Sequence, residues 1–178
     1  MPGQKVGASV SGIREAGLRI RPARPGEAGL VLGFVRELAE YEKLTHEVDA
    51  TEAMIDNALF GPNPRTFCDF AEWDGEPVGF ALWFLNFSSF RGRHGIYLED
   101  VFVQPAHRGK GIGKAVLRHL AKRCVAEGWT RLEWAVLDWN TPSIRFYQAQ
   151  GAVLMDEWTI CRVTGPALMR LAAGEVAR

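Results

Sequence analysis

The alternation of hydrophobic and polar positions predicts regular structure from Leu18 onwards. Leu18 to Pro22 alternates apolar with basic residues, which is the period of a half-buried strand. A helical repeat follows, with apolar residues at Val31, Phe34, Val35 and Leu38. Thr51 suits the cap of a second helix, which is predicted to begin at Glu52 and to end before Gly61.

The centre of the chain predicts a hairpin, because the aromatic and β-branched runs Thr66–Trp73 and Glu76–Leu85 are joined by Asp74-Gly75, two residues that tolerate positive φ. The elements predicted after it are, in order, a loop 86–94, a strand Gly95–Val103, a loop 104–110, a helix from Gly111 to Gly128, a strand Thr130–Leu137, a helix Thr141–Gln150, a strand pair within Ala152–Val163 and a frayed helix Leu168–Arg178. Antiparallel hairpins early and strand–helix–strand units late predict an α/β (α+β) fold with a mixed sheet.

Length and composition fit one domain with a single core. The chain has 178 residues, of which 47% are hydrophobic, as in an average globular protein. Residues 1–17 are predicted to be a mobile leader, 18–173 the domain and 174–178 a tail. No apolar run reaches the roughly 18 to 20 residues of a membrane-spanning helix, and residues 1–17 lack the apolar stretch of a secretory signal.

Charge and ligand spacing make several classes of protein poor candidates. The 21 Lys and Arg residues balance 21 Asp and Glu residues, so we expect no nucleic-acid partner. The four histidines are scattered and no Cys/His cluster occurs, so we expect no metal. Cys68, Cys124 and Cys161 lie far apart without a CxxC motif, which predicts reduced thiols and a cytoplasmic location.

Three glycines at alternate positions, Gly109, Gly111 and Gly113, stand between the strand that ends at Val103 and the next helix. Such glycines let the backbone approach a ligand, and the free N–H groups at a helix start can hold phosphate. Ala115 stands where a P-loop needs Ser or Thr, and the GxGxG spacing differs from the GxGxxG of dinucleotide sites. A turn that merely begins a helix is the alternative.

The spacing Arg-x-x-Gly-x-Gly, from Arg108 to Gly113, resembles the coenzyme A pyrophosphate loop of the Gcn5-related N-acetyltransferases, the GNAT superfamily. The likeness extends over Leu18–Leu171 and includes Asp138–Tyr147, where Asn, Ser and a Phe-Tyr pair precede a glycine. Within the superfamily the chain resembles the diamine acetyltransferases, the spermidine/spermine and thialysine N-acetyltransferase group. The segments that carry this closer likeness are Leu38–Glu42, Tyr97–Asp100 and Asn140–Tyr147.

The resemblance implies the GNAT fold, with a mixed central sheet flanked by helices, and acetyl-CoA as co-substrate. The strand residues Val101, Phe102 and Val103 would border the coenzyme, with the main chain of Val101 and Val103 pairing with the pantetheine arm like an added strand. The peptide N–H of Val101 would face the acetyl oxygen. The residues that would hold the pyrophosphate are Arg108, Gly109, Lys110, Gly111, Ile112, Gly113 and Lys114. Asn140, Ser143 and Tyr147 would be further coenzyme contacts, although Asn140 and Ser143 equally suit helix capping.

Glu99 is the candidate general base. In a regular strand its side chain shares a face with Tyr97, Val101 and Val103, and Asp100 points the other way unless a bulge turns it. Desolvation and mutual repulsion of two adjacent carboxylates would raise the pKa of at least one, which suits the deprotonation of an amine. The alternative is a pair that binds a nearby arginine. The resemblance favours Glu99 as base, directly or through water.

Tyr147 is the candidate general acid for the departing thiolate. Phe146 and Tyr147 are adjacent on a short helix and cannot face the same way, so Phe146 in the core would leave Tyr147 free to reach a cleft. The alternative is a tyrosine at the edge of a core. The resemblance favours the catalytic role.

The acceptor is predicted to be a primary amine of a small cationic molecule: a diamine, a polyamine or a lysine-like amino acid. The candidate acceptor-binding residues are Tyr41, Glu42, Glu99, Asp100 and Trp158. Glu42 could equally belong to a solvated helix face. In the loop before the Tyr-Leu-Glu-Asp strand, Phe90 stands where the diamine group tends to carry tryptophan. Arg91 and Arg93 would repel a polycation, so a short diamine fits better than spermidine.

Several alternatives remain open. The same fold could acetylate a protein lysine, a protein N-terminus or an aminoglycoside. The chain could be a coenzyme A-binding sensor without catalysis or, more distantly, a nucleotide-binding regulator. Apolar strands near the C-terminus and the habit of the family imply a homodimer, and no membrane partner is expected.

Overall fold

The computed structural model describes residues 14–15 and 17–175 of the chain. The chain divides into two compact units, one ending at Leu137 and one beginning at Asp138. Most of the predicted leader, and the last three residues of the predicted tail, lie outside the described residues. The described part of the leader includes a two-residue strand, and the bounds of the domain stay a prediction.

The strands of the described chain form one six-stranded sheet in which neighbours in sequence are neighbours in space. They are β1 (Arg14–Glu15), β2 (Leu18–Pro22), β3 (Thr66–Trp73), β4 (Glu76–Ser88), β5 (Arg93–Val103) and β6 (Leu132–Glu133). The first five pair antiparallel, and β6 pairs parallel with β5. The predicted mixed sheet is confirmed.

The helices of the first unit flank this sheet on both faces. The first unit contains α1 (Ala28–Glu42), α2 (Glu52–Phe60) and α3 (Ile112–Ala126), and the second contains α4 (Thr141–Ala149) and α5 (Gly165–Ala172). The core between α1, α2 and one sheet face is built from Val31, Phe34, Leu59, Cys68, Phe70, Phe80 and Phe102. On the other face α3 brings His119 to 3.7 Å from Asp69 of β3. No helix of the described residues is long and apolar enough to cross a membrane.

Local signals place the boundaries of these elements. The Thr51 hydroxyl accepts a hydrogen bond from the Met54 N–H and caps α2. Asp74 and Gly75 both adopt positive φ, 51° and 92°, in the turn between β3 and β4. Gly128, at φ 69°, follows the end of α3.

A bulge interrupts the pairing of β4 with β5. Leu82 lies opposite Asp100 and Trp83 lies opposite Leu98, so Glu99 is the extra residue in β5. The bulge resets the alternation of side chains. Asp100 therefore shares the face of Phe102, towards α1 and α2, because its partner Leu82 packs against the core on that face.

Four segments differ from the predictions, and one of them is the last helix, which begins at Gly165 instead of Leu168 and ends at Ala172. Strands β4 and β5 continue to Ser88 and from Arg93, because their backbones pair along an exposed arm that the polar side chains do not reveal. Only Leu132–Glu133 of the strand predicted over 130–137 forms. The strand pair predicted within Ala152–Val163 is wrong for the described chain, where this segment has no strand. A two-stranded ribbon gains little stability without a surface that covers its apolar face.

Candidate active site

Three carboxylates, Glu42, Glu99 and Asp100, interact at the C-terminal half of β5. Burial, followed by the charges of Glu99 and Glu42, raises the pKa of Asp100 from 3.8 to about 6. Burial also raises the pKa of Glu42, the last residue of α1. Glu99 itself is exposed at the bulge. The structure therefore brings together three of the predicted acceptor-binding residues and gives one of them the raised pKa that adjacent carboxylates predict.

The end of α1 adds to this negative field. The backbone carbonyl groups at a helix C-terminus carry a partial negative charge, and the last turn of α1 contains no basic residue. The nearest basic groups are Lys43, which is the C-cap, and Arg108, which lies over the Tyr41 ring. Tyr41, also in this turn, is partly buried and packs against the core between α1, α2 and the sheet. A cationic amine is the ligand that such a surface favours, because it compensates the partly buried carboxylates.

In the described sheet, the edge of β5 that faces away from β4 has no partner strand beyond the bulge. The short strand β6 pairs with Ile96 and Tyr97 of β5 and does not reach residues 99–103. Gln104 donates its N–H to Val78 of β4 at 2.9 Å. Because strand residues alternate, the N–H and C=O groups of Val101 and Val103 point away from β4. The Val103 carbonyl accepts a hydrogen bond from Arg108 Nε at 2.9 Å. The Val101 N–H and C=O and the Val103 N–H are therefore the candidate groups for an added strand-like ligand, which the resemblance implies to be the pantetheine arm.

The glycine loop presents its backbone at the start of α3. Gly109 and Gly111 have φ of 77° and 79°, a conformation that favours glycine. Gly111 caps the helix without a side-chain hydrogen bond, and the first turn contains no acidic residue. A Cβ at Gly109 or Gly111 would meet no atom within 4 Å. The first N–H groups of α3 therefore face open space beside the positive end of the helix, which suits a pyrophosphate.

The cationic side chains of this loop differ in what they bind. Arg108 lies over the rings of Tyr41 and Phe102, and Lys110 lies 5.1 Å from the ring centroid of Trp73. Lys114, in the first turn of α3, is exposed. The Ile112 side chain is buried. The main-chain N–H groups of this loop and the Lys114 ammonium stay the predicted phosphate ligands.

The remaining predicted residues belong to the second unit. Asn140 is buried and its Oδ1 accepts a hydrogen bond from the Ser143 N–H at 3.3 Å, so Asn140 caps α4. Phe146 and Tyr147 are both half-buried, with ring centroids 5.3 Å apart. Trp158 is 73% exposed. The capping role that the sequence allowed for Asn140 is confirmed, while its coenzyme role stays a prediction.

Two side-chain contacts near the site carry no sequence signal, one made by Gln104 and one by the predicted pyrophosphate residue Arg108. Gln104 donates from Nε2 to both carboxylate oxygens of Glu37 at 3.2 Å, which ties the end of β5 to α1. Arg108 interacts with Tyr41 although the two are far apart in the chain. Neither contact could be predicted, because both depend on how α1 packs over the sheet.

Other polar groups lie apart from the predicted site residues. A cavity of about 90 Å³ opens beside Asp69, Trp83 and Arg123. Its lining includes none of the predicted site residues. Within the part of the chain that the structure describes, no three His, Cys, Asp or Glu side chains are grouped so that they could hold a metal ion.

Replacement of Asp100 by asparagine is expected to stabilise the fold at neutral pH. Since the folded protein binds the Asp100 proton more tightly than the unfolded chain, the stability that this residue contributes falls as pH rises from about 4 to about 6. At pH 7 the variant should gain about 1 to 3 kcal/mol in the free energy of unfolding, and the gain should vanish below pH 4. Urea unfolding at both pH values measures this difference.

The control for this prediction is Asp56→Asn, at an exposed position of α2. It should change the free energy of unfolding by less than about 0.5 kcal/mol at either pH. An Asp100→Asn variant no more stable than Asp56→Asn at pH 7 would show that the Asp100 carboxylate carries no burial cost.

Comparison with solved structures places this fold among known ones. An integron cassette protein from the mobile metagenome of V. cholerae superposes with a TM-score of 0.74 and 27% sequence identity, covering 88% of this chain and 98% of that one. Nearly the whole of that protein therefore shares the architecture described above.

Sequence comparison identifies closer relatives. A thialysine N-epsilon-acetyltransferase of Bos taurus is 39% identical over 164 residues, covering 86% of this chain and 96% of the relative. An L-ornithine N5-acetyltransferase of Arabidopsis thaliana is 32% identical, covering 86% of this chain and 87% of the relative. The sequence profile of the acetyltransferase (GNAT) family matches residues 33–152, which include the last ten residues of α1, the bulged strand β5 and the glycine loop. The chain therefore belongs to the acetyltransferase (GNAT) family, whose members are enzymes that use acetyl-CoA.

Proposed function

We propose that this enzyme transfers the acetyl group of acetyl-CoA to the side-chain amine of a small diamino acid. The family, and relatives named for thialysine and ornithine, support acetyl transfer to a small amine. Both of those acceptors carry a primary amine on a short chain. Diamines of similar length are the next class. Arg91 and Arg93, which the sequence predicted to repel a polycation, lie in the turn before β5 and at its first position, at the opposite end of the strand from Asp100.

The observation that carries this proposal is the cluster of three carboxylates formed by Glu42, Glu99 and Asp100. The partly buried Asp100 is ionised at neutral pH at a cost that a neighbouring ammonium would offset. The negative end of α1 acts in the same direction. A protein lysine or N-terminus also carries an ammonium, so the carboxylates alone do not exclude it. Nothing in the described structure favours those larger acceptors.

The residues of this chain supply three functions in the reaction. Glu99 accepts the proton that the ammonium must lose, directly or through water, because a charged amine has no lone pair for attack. The N–H of Val101 donates a hydrogen bond to the carbonyl oxygen as negative charge develops there. The Tyr147 hydroxyl provides a proton for the thiolate. The C–N bond forms as the C–S bond breaks, and the second proton that the nitrogen loses restores the Tyr147 hydroxyl through water. Amide and free thiol are the products.

The coenzyme would lie along the chain as follows. Acetyl-CoA supplies the acetyl group as a thioester, which is activated towards an amine. The edge of β5 at Val101 and Val103 would pair with the pantetheine arm, and the backbone of residues 108–113 with Lys114 would hold the pyrophosphate. We retain Asn140 and Ser143 as candidate coenzyme contacts and Trp158 as a candidate acceptor contact.

A screen of acceptors tests the function. Release of free thiol from acetyl-CoA would be followed with ornithine, thialysine, lysine, putrescine, spermidine, a lysine peptide and an aminoglycoside, and mass spectrometry would identify the product. We expect the highest kcat/KM with the short diamino acids. Turnover restricted to the peptide or the aminoglycoside would reject the proposed acceptor class, and binding of acetyl-CoA without thiol release on any amine would indicate a sensor.

We also propose that the enzyme is a homodimer. The second unit exposes a series of large apolar side chains: Val153, Leu154, Met155, Trp158, Ile160, Val163, Leu168, Met169 and Leu171. Exposed apolar surface of this extent is rare on a monomer and indicates a partner. A second copy of the chain would cover this segment and would supply the pairing that the expected strands within Ala152–Val163 lack.

The oligomeric state is expected to depend on this apolar segment. Light scattering after size exclusion should give twice the mass of the chain at micromolar concentration, and Trp158→Asp combined with Met169→Asp should give a monomer. Phe90→Asp is the matched control, since Phe90 is 96% exposed on the turn between β4 and β5. A monomeric wild-type protein would reject the dimer.

A reducing, cytoplasmic compartment is the location we propose. Cys68 and Cys124 are buried free thiols, and Cys161 is an exposed one. Burial raises the pKa of the Cys68 thiol and of the Cys124 thiol, which makes both poor nucleophiles. Cys68 and Cys124 therefore have a packing role and are not candidates for a covalent acetyl-enzyme.

A further inference from the structure

The Arg108 side chain joins the glycine loop to the last turn of α1. Its Nε donates a hydrogen bond to the Val103 carbonyl at 2.9 Å. Its guanidinium lies 4.6 Å from the ring centroid of Tyr41 and 5.5 Å from that of Phe102. One side chain therefore contacts the open edge of β5, the sheet face and the helix that ends at Glu42.

From this arrangement we propose that Arg108 is a positioning residue that couples occupancy of the glycine loop to the order of the acceptor-binding turn of α1. The proposal rests on the proposed function, since it assigns the loop to acetyl-CoA and the turn to the amine. The backbone of Arg108 precedes Gly109 directly, so a shift of the loop around a bound pyrophosphate moves the anchor of the guanidinium. Because the guanidinium lies over the Tyr41 ring, its displacement shifts Tyr41 and, with it, the next residue, Glu42.

The chemistry of arginine suits this task. A planar guanidinium can lie flat against an aromatic ring while one N–H donates in its plane, whereas a lysine ammonium is a compact point charge. The Val103 carbonyl fixes the Nε end, so rotation of the group is restricted. The Nε–H is thereby engaged by the Val103 carbonyl and the guanidinium lies over the Tyr41 ring, which favours a role in transmission for this exposed side chain.

A second tie shows why the coupling acts on the last turn in particular. Gln104 holds Glu37, one turn earlier in α1, and its own N–H is bound to Val78 of β4. This tie joins α1 to the rigid sheet, so it does not follow the loop. Arg108 joins the next turn to the loop through its own backbone, and to the end of β5 through the hydrogen bond of its Nε to the Val103 carbonyl. The movable part of the contact is therefore the turn that contains Tyr41 and Glu42.

The experiment compares wild type with Arg108→Gln and Arg108→Lys, using free coenzyme A as the probe. Calorimetry measures the coenzyme affinity, and hydrogen exchange measures the protection of residues 38–44 with and without saturating coenzyme A. We expect coenzyme A to slow exchange in this segment of the wild type. Both variants should bind coenzyme A within about threefold of wild type and lose that protection. Lys122→Gln, an exposed charge on α3, is the control and should behave as wild type.

Steady-state kinetics provides a second readout that a merely structural role would not reproduce. The KM for the amine should rise about 5- to 10-fold in both Arg108 variants, with kcat nearly unchanged. Tyr41→Leu should give the same loss of protection, and Arg108→Gln combined with Tyr41→Leu should add little to either single variant.

Three results would overturn the proposal. A loss of coenzyme affinity greater than tenfold in Arg108→Gln would assign the side chain to the phosphates. Retained protection in Arg108→Gln would show that the loop and the turn are independent, and wild-type protection in Arg108→Lys would show that charge suffices without the stacked guanidinium. The exchange measurements need no acceptor, so they decide the coupling even if the acceptor screen rejects the proposed amine.

Discussion

Replacement of Gly111 by alanine is expected to lower the affinity for coenzyme A by about 100-fold, since two charge-assisted hydrogen bonds are worth about 3 kcal/mol together. Gly111 holds φ at 79° immediately before α3, and this conformation turns the first N–H groups of the helix towards open space. A residue with a Cβ disfavours that conformation, and its methyl group would stand beside the N–H groups that the pyrophosphate needs.

The fold should survive this change, because a Cβ at Gly111 meets no atom of the protein within 4 Å. The variant should lose about 1 to 2 kcal/mol of unfolding free energy from backbone strain. Calorimetry with coenzyme A measures the affinity, and thermal unfolding followed by circular dichroism shows whether the protein remains folded.

Gly75→Ala is the matched control for this strain. Gly75 has φ of 92° in the turn between β3 and β4, and a Cβ there also meets no atom within 4 Å. The two variants should therefore lose similar stability, while coenzyme affinity falls in Gly111→Ala alone. Equal affinities in the two would show that the glycine loop does not hold the pyrophosphate.

The sequence predicts the glycine loop and its surroundings well because the signals are local. Pro105 excludes a strand, Gly111 supplies the positive φ, and the apolar period after it defines α3. The hairpin at Asp74-Gly75 and the Thr51 cap are equally local, and both are confirmed. Each of these features depends on residues within one turn of one another.

The acceptor side depends on contacts that are distant in sequence. The bulge at Glu99 is a matter of register between β4 and β5, and neither strand carries a glycine or proline at that point to signal it. Glu42 and Asp100 meet because α1 packs across the sheet, so the sequence could suggest an acidic surface without choosing its members. The C-terminal strands failed for a related reason, since their apolar pattern does not state which surface covers it.

The opposite charges of two helix ends connect these parts of the site. The start of α3 is positive beside the glycine loop, and the end of α1 is negative beside Asp100. An anionic coenzyme and a cationic amine are therefore directed to different ends of the C-terminal half of β5. Proximity of the two substrates along this strand would provide much of the catalysis, because it replaces a bimolecular encounter.

Replacement of Glu99 by glutamine is expected to reduce kcat/KM for the amine by about 100-fold at pH 7, the lower end of what a general base contributes. An alkyl ammonium has a pKa of about 10.4, so at pH 7 nearly all of the acceptor arrives charged and a proton must be removed. The amide of glutamine keeps the size of the side chain at the bulge and cannot take that proton.

This deficit should shrink as pH rises, because an increasing share of the amine arrives already deprotonated and needs no base. The Glu99→Gln enzyme should approach wild-type kcat/KM near pH 10, whereas Glu76→Gln, an exposed glutamate at the start of β4, should match wild type throughout. Asp100→Asn should give a different pH profile. In the wild type, protonation of Asp100 below pH 6 weakens amine binding, and the variant lacks this pH dependence. A deficit in Glu99→Gln that stays constant from pH 7 to 10 would assign Glu99 to holding the amine, and the proton would then pass to Asp100 or to water.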